Sequence, residues 1–195
     1  MDPTVAPVVP VAPVPEPGAP TPAAFTFPDG HISFEHPANW TIKTRQGPYL
    51  DHVNETDKAK SVEAHIYDDK GNKVSVITHG GYGGGAAGAS LLTVLDSQPV
   101  PNFTARDSDT VFAFIEYEHP VDQSVHYRMG NMSAELVTNG KGTSGSYVRI
   151  AGKGASEASV EFGTPAFNSL ESAKAWMTSQ QYSQLKTMLT SIRYV

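Results

Sequence analysis

From residue 25 onward the chain alternates apolar and polar residues over short runs separated by turn residues, the pattern of half-buried antiparallel strands. Ile32 and Phe34 fall on one face of the first run. Val62, Ala64 and Ile66 then alternate with Glu63, His65 and Tyr67. "DDKGN" turns the chain into Val74 to Thr78, which predicts a hairpin closed by an Asp, Gly and Asn loop. Further strands are predicted at Val111 to His119, Val125 to Met129, Ala134 to Val137, Tyr147 to Ala151 and Ser159 to Phe162, the last two joined by a turn at "GKGAS". "LLTVLD", Leu91 to Asp96, reads as a strand because it is short and is followed by Pro99 and Pro101.

The period changes near the end of the chain. Asn168 followed three residues later by Glu171 reads as a capping box, with Phe167 placed to pack back on the first turn. Leu170, Ala173 and Met177 recur at helical spacing, as do Tyr182, Leu185, Met188, Leu189 and Ile192. A helical hairpin or one broken helix is therefore expected, followed by a short strand around Ile192 to Val195. Helices gathered behind a series of strands define an α+β class, with the helical stripe covering one face of a mainly antiparallel sheet.

The first 24 residues stand apart, with 8 of the 15 prolines and neither an aromatic residue nor a Leu or Ile. Proline fixes φ and removes amide donors, so this stretch is expected to be an extended spacer outside any core. Residues 1–24 are read as a proline-rich linker or tether, and residues 25–195 as a single domain.

Two segments carry a family resemblance. "ISFEHPANWTI" resembles the opening of PsbP-type domains, the family of the extrinsic photosystem II subunit and the Ran-binding protein Mog, which also occurs in envelope lipoproteins of the mycobacterial LpqN type. In that pattern a first strand ends at proline and the following tryptophan opens the next strand. "LKTMLTSIRYV" is similar to the family's last helix and last strand. The resemblance implies an α/β/α sandwich around a central, mainly antiparallel sheet with C-terminal helices, used as a binding or accessory module. His36 stands where the family often has an aromatic residue, and the glycine-rich loop after His79 has no counterpart, so no functional residue is carried over. The proline-rich stretch resembles the tether that follows the lipidated cysteine of bacterial surface lipoproteins. This implies display on the extracellular side of a cell envelope, with the membrane reached only through an upstream lipid anchor removed from the present chain.

Composition excludes several activities. With no cysteine there is no disulfide framework, thiolate metal site or cysteine nucleophile. A net charge of −6 with scattered basic residues argues against a nucleic-acid surface. No apolar run is long enough to span a bilayer as a helix.

The candidate chemistry is sparse. "HGGYGGGAAGAS", His79 to Ser90, lacks the Lys-Ser/Thr pair of a phosphate loop and the strand and helix that flank a dinucleotide loop. It reads as an inter-strand loop that could serve recognition, with His79 and Tyr82 as the candidate ligand- or partner-binding residues. "GTSGS" places Ser144 between small residues without matching GxSxG, and a small serine hydrolase using Ser144 with a histidine is the alternative function. Glu116, Glu118, His119 and His126 form the nearest thing to a metal cluster. Alternation sets the glutamates and His119 on opposite faces, so no metal or other cofactor is expected. Four N-x-S/T sequons, at Asn39, Asn54, Asn102 and Asn131, carry no functional reading beside a lipoprotein-like tail.

The expectation is thus a monomeric, non-catalytic binding module at a bacterial cell envelope. Its partner would be a protein, lipid or glycan and not nucleic acid. A structural subunit of an envelope complex is a further alternative, and would need an extensive apolar patch.

Overall fold

The computed structural model describes residues 21–49, 55–81, 89–103, 108–145, 147–150, 154–163 and 166–194. In chain order its strands are β1 (Pro22–Thr26), β2 (Ile32–Pro37), β3 (Thr41–Gln46), β4 (Val62–Tyr67), β5 (Lys73–Gly81), β6 (Ala89–Pro99), β7 (Thr110–Glu118), β8 (Val125–Ser133), β9 (Gly140–Thr143), β10 (Tyr147–Ile150), β11 (Gly154–Val160) and β12 (Arg193–Tyr194). The helices are α1 (Glu55–Lys60), α2 (Leu170–Trp176) and α3 (Gln180–Thr190). The class is α+β, dominated by antiparallel sheet with its two longer helices at the C-terminal end.

A small sheet runs β1-β2-β12, and a large one runs β3-β4-β5-β11-β8-β7-β6-β9, with β10 added beside β11. Every pair is antiparallel. β9 pairs β6 at one end of this path, while β10 pairs β11 in its middle.

The main core lies where β2, the large sheet and α3 meet. Ile32 and Phe34 of β2 pack there with Ile66, Ile77, Phe112, Phe114 and the α3 residues Tyr182, Leu185, Met188 and Leu189. Burying each such side chain contributes on the order of 1.5–3 kcal/mol. The other face of β7 also buries its residues: Ala113 and Ile115 join Leu92 and Met132 in a second, smaller cluster. This explains why "TVFAFIEYE" reads as a nearly continuous apolar run. Asp96, on β6, ties the sheet to α3 by accepting hydrogen bonds from the Tyr182 hydroxyl and from Lys186 Nζ, the latter at 2.5 Å.

The β4–β5 hairpin forms as its loop chemistry predicts. Asp68 accepts from the amides of Lys70 and Asn72, and Gly71 takes φ 83°, which a Cβ would strain. The two helices and the terminal strand also fall where the change of period places them.

Several boundaries differ from expectation, β6 and β8 among them, which run Ala89–Pro99 and Val125–Ser133. The first strand begins at Pro22, inside the segment read as tether; Ala23 and Ala24 pair opposite His36 and Glu35, and proline is tolerated at the start of an edge strand. The remainder of the tether, residues 1–20, lies outside the described residues. Ala134 to Val137 is not a strand: the β8 ladder ends with Ser133 opposite Thr110, and Ala134–Leu136 closes into a 3-10 turn once the Ala134 amide bonds to the Asp109 carbonyl. The box capping α2 is formed by Ser169 and Ser172, because the Ser169 hydroxyl accepts the Ser172 amide while the Ser172 hydroxyl accepts the Ser169 amide. Finally, β11 starts at Gly154 rather than Ser159, inside the "GKGAS" turn. Pairing on both edges, with β10 and β5, overrides the weak strand preference of "GASEAS".

Candidate functional site

Two histidine-bearing regions hold the polar side chains with the most chemistry. The first surrounds His79, near the end of β5. His79 is 3 % exposed, and its Nε2 lies 2.8 Å from Asp29 Oδ2 in the β1–β2 turn. Its ring meets Phe27 edge-on at 5.8 Å and Tyr194 of β12 at 6.3 Å, and His31 stacks on the other ring of that pair, Tyr194, at 5.5 Å. Burial and the Asp29 carboxylate raise the Tyr194 hydroxyl above the ordinary tyrosine range.

Gly80, directly after His79, takes φ 76°, and a Cβ there would lie 2.1 Å from the Lys60 carbonyl oxygen. The chain therefore leaves β5 tightly against the end of α1, and His79 is held inward. Tyr82, the other predicted contact, lies outside the described residues. His36, the neighbouring histidine of the opening motif, is elsewhere: its ring leans on Phe34 and its Nδ1 is 2.9 Å from the Pro37 carbonyl.

The second region is the β7–β8 hairpin and the gap beside it. The hairpin loop, Pro120 to Gln123, closes with the His119 amide donating to the Ser124 carbonyl and the Gln123 amide to the His119 carbonyl, Gln123 taking φ 57°. Asp122 Oδ1 accepts from the Ser124 amide and hydroxyl and lies 3.1 Å from His119 Nδ1. The Ser124 bonds, with His119 adding to them, hold the Asp122 carboxyl down at about 2. Ser124 Oγ is also 2.7 Å from His126 Nε2.

These three residues have the inventory of a hydrolase triad in the wrong order. An activated serine donates its proton to an imidazole that is itself held by the carboxylate. Here Ser124 lies in the middle and gives its single hydroxyl proton to ionised Asp122, which leaves its oxygen as the acceptor for His126.

Strand register sets His126 opposite Tyr117, with the rings stacked at 5.5 Å, and Arg128 lies over the same tyrosine at 5.9 Å. These side chains share the face of β7–β8 opposite α3. On the other face the Tyr127 hydroxyl donates to Glu116 at 2.6 Å, and burial together with this bond raises the tyrosine well above its ordinary range. Glu116 is thus engaged on the core face while His119 bonds at the hairpin tip, and among the described residues no cluster of metal-ligating side chains forms.

Between β8 and β11 lies a cleft of about 460 Å³. Tyr117, His126 and Arg128 line one side, and Glu157, Ser159, Glu161 and Phe162 the other. Glu161 lies 3.5 Å from Lys73. The cleft exists because β8 and β11 pair at one position, Gly130 opposite Ser159, and diverge toward Val125. Ser144 is not part of it. That serine is 6 % exposed after β9, and among the described residues no hydrogen bond links it to a histidine. Of the sequons, Asn131 is fully buried and donates to the Leu189 carbonyl at 3.1 Å.

Sequence reasoning did not find Asp29, Tyr194, Tyr117 or Arg128. Tyr117 and Arg128 were accessible in part: once His119 and Ser124 are taken to close the hairpin, counting back along both strands sets Tyr117 against His126. Asp29 and Tyr194 had no local signal, since they reach His79 from positions about 50 and 115 residues away in the chain. Comparisons of the chain with protein-family models, with curated proteins and with solved structures return no match.

Proposed function

We propose that this chain is a non-catalytic binding module of PsbP-like, LpqN-like character. In this reading its helices and sheets layer as an α/β/α sandwich, and the proline-rich segment tethers it to the extracellular side of a bacterial cell envelope. The partner is a protein, lipid or glycan of that envelope. The observation that carries this reading is the open cleft beside β8, where an aromatic ring, an arginine and a histidine stand together on one wall facing polar and acidic groups on the other. Concave sites with a few convergent polar groups on an apolar frame are the usual places for a bound ligand.

Titration calorimetry of the full chain against purified envelope glycans, anionic lipid vesicles and short peptides tests it. Saturable binding to one of these, weakened by Tyr117→Ala combined with Arg128→Ala in a protein that stays folded, is the expected result. Absence of binding to all three classes sinks the reading. Turnover of an acyl ester that disappears in Ser144→Ala would replace it with the hydrolase alternative, and concentration-dependent assembly in light scattering would favour a structural subunit.

A further inference from the structure

We infer that the part of the large sheet's core-side face which the helices leave uncovered, centred on Leu91, Glu118 and Val125, docks a basic amphipathic helix of a protein partner. This goes beyond the cleft. The surface shares Val125 with the cleft rim but lies on the face of β7 and β8 opposite Tyr117, His126 and Arg128.

Strand register brings the three residues together. Phe112 and Phe114 of β7 belong to the main core, and alternation puts Glu116 and Glu118 on the same face farther along the strand. Glu118 stands opposite Val125 of β8, and the β6 register, with Leu92 opposite Tyr117, continues to Leu91 beside Glu118. Leu91, Glu118 and Val125 thus form one row across three adjacent strands. In the next row toward the helices Glu116 lies between Thr93 and Tyr127, and accepts the tyrosine's hydroxyl proton in a hydrogen bond.

The cover provided by the C-terminal segment ends at that point. Phe167 and Trp176 pack against Phe114, and Phe167 also against Tyr127. Past them Leu91 and Val125 are 55 % and 56 % exposed, and Glu118 is exposed between them. A sheet face of this class is ordinarily closed by helices, and here the helical layer stops one row short.

Charge and spacing state what completes it. The Glu118 side chain makes no hydrogen bond or ion pair among the described residues. Glu171, in the first turn of α2, joins Glu116 in raising the Tyr127 hydroxyl, so its charge falls on the same surface. Lys141, opposite Leu91 on β9, and Lys174, beside Glu171, bound the acidic part. A second copy would set the same glutamates against each other, and an anionic lipid surface is repelled in the same way. Two strand spacings separate Leu91 from Val125, about 10 Å, which is also about the rise of seven residues of α-helix. A helix laid across the strands with apolar residues seven apart would therefore seat one beside Leu91 and one beside Val125. Lysines on the turn between them would meet Glu118.

The probe is a blocked, alanine-based helical peptide with two leucines seven residues apart and lysines on the intervening turn, titrated into the full chain and followed by fluorescence anisotropy. Expected is saturable binding that weakens at least about tenfold in Glu118→Lys and in Leu91→Asp, and that falls as salt is raised. Both positions are exposed, so the urea midpoint should stay that of the parent; if Leu91→Asp lowers it, Glu118→Lys decides. A glutamate-for-lysine peptide should not bind, and Tyr117→Ala combined with Arg128→Ala should leave binding of the lysine peptide intact. No binding of the lysine peptide, equal binding of the glutamate peptide, or unaltered binding by Glu118→Lys overturns the inference. Loss of binding in the Tyr117 and Arg128 variant also overturns it, by moving the peptide to the cleft. Failure at this face leaves the cleft reading standing, because that reading is tested with its own ligands.

Discussion

Among the described residues, two clusters each pair a histidine with an aspartate and are put to opposite uses. Around His79, an aspartate and two aromatic rings enclose a histidine that is 3 % exposed, drawing the β1–β2 turn, the end of β5 and the final strand together. At the β7–β8 hairpin, Asp122 bonds Ser124 and His119 in water, with His126 on the rim of a cleft. The difference is burial. A charged or polar group removed from water must keep its partner or leave an uncompensated dipole, whereas the same contact in solvent is readily replaced by water. The first cluster therefore works for the fold, and the second is available for contact.

The sharpest way to break the comparison is to loosen the buried cluster through its backbone. Gly80→Ala must accommodate a Cβ 2.1 Å from the Lys60 carbonyl at a positive φ, and is expected to cost about 2 kcal/mol or more in urea unfolding. His79→Ala should follow, at about 2–4 kcal/mol, because it removes a buried ring and leaves Asp29 without its imidazole. His126→Ala at the hairpin should change stability by no more than about 0.5 kcal/mol. If His126→Ala destabilises as much as His79→Ala, the division of labour between the clusters is wrong.

The smallest effect concerns pH. The Asp122 carboxyl sits below its ordinary value of 3.8, at about 2. A lowered folded-state value means that its turn bonds are fully present above 3.8 and are lost as pH falls through about 2. The Ser124 amide resonance should titrate over that window in the intact chain and stay flat in Asp122→Asn, with global stability little altered because the aspartate is exposed.

Local chemistry was legible in the chain wherever a few adjacent residues decide the outcome. The Asp68 to Asn72 loop is such a case, since the carboxylate, the glycine and the two amides it bonds lie within five residues. The α3 stripe is another: Tyr182, Leu185, Met188 and Leu189 are all buried at the spacing that predicts a helix face. Even locally, competition between neighbours misled. Asn168 and Ser169 are both good capping residues, and Ser169 took the position because its backbone is extended where the helix begins.

The candidate sites were less legible because they depend on which distant segments meet. Neither the enclosure of His79 by Asp29 and Tyr194 nor the gap between β8 and β11 follows from any window of sequence. The latter turns on Gly130 approaching Ala158, a contact between strands separated in the chain by β9 and β10.

By itself, then, the sequence determined the alternation that makes strands, the turn that closes β4 onto β5, the late change to helical period and the want of cysteine chemistry. Tertiary structure decided which histidine is buried and which is presented, and where β8 and β11 part around a cleft. The physical reason is that periodicity is set by covalent neighbours, whereas burial and edge pairing are set by packing between segments far apart in the chain.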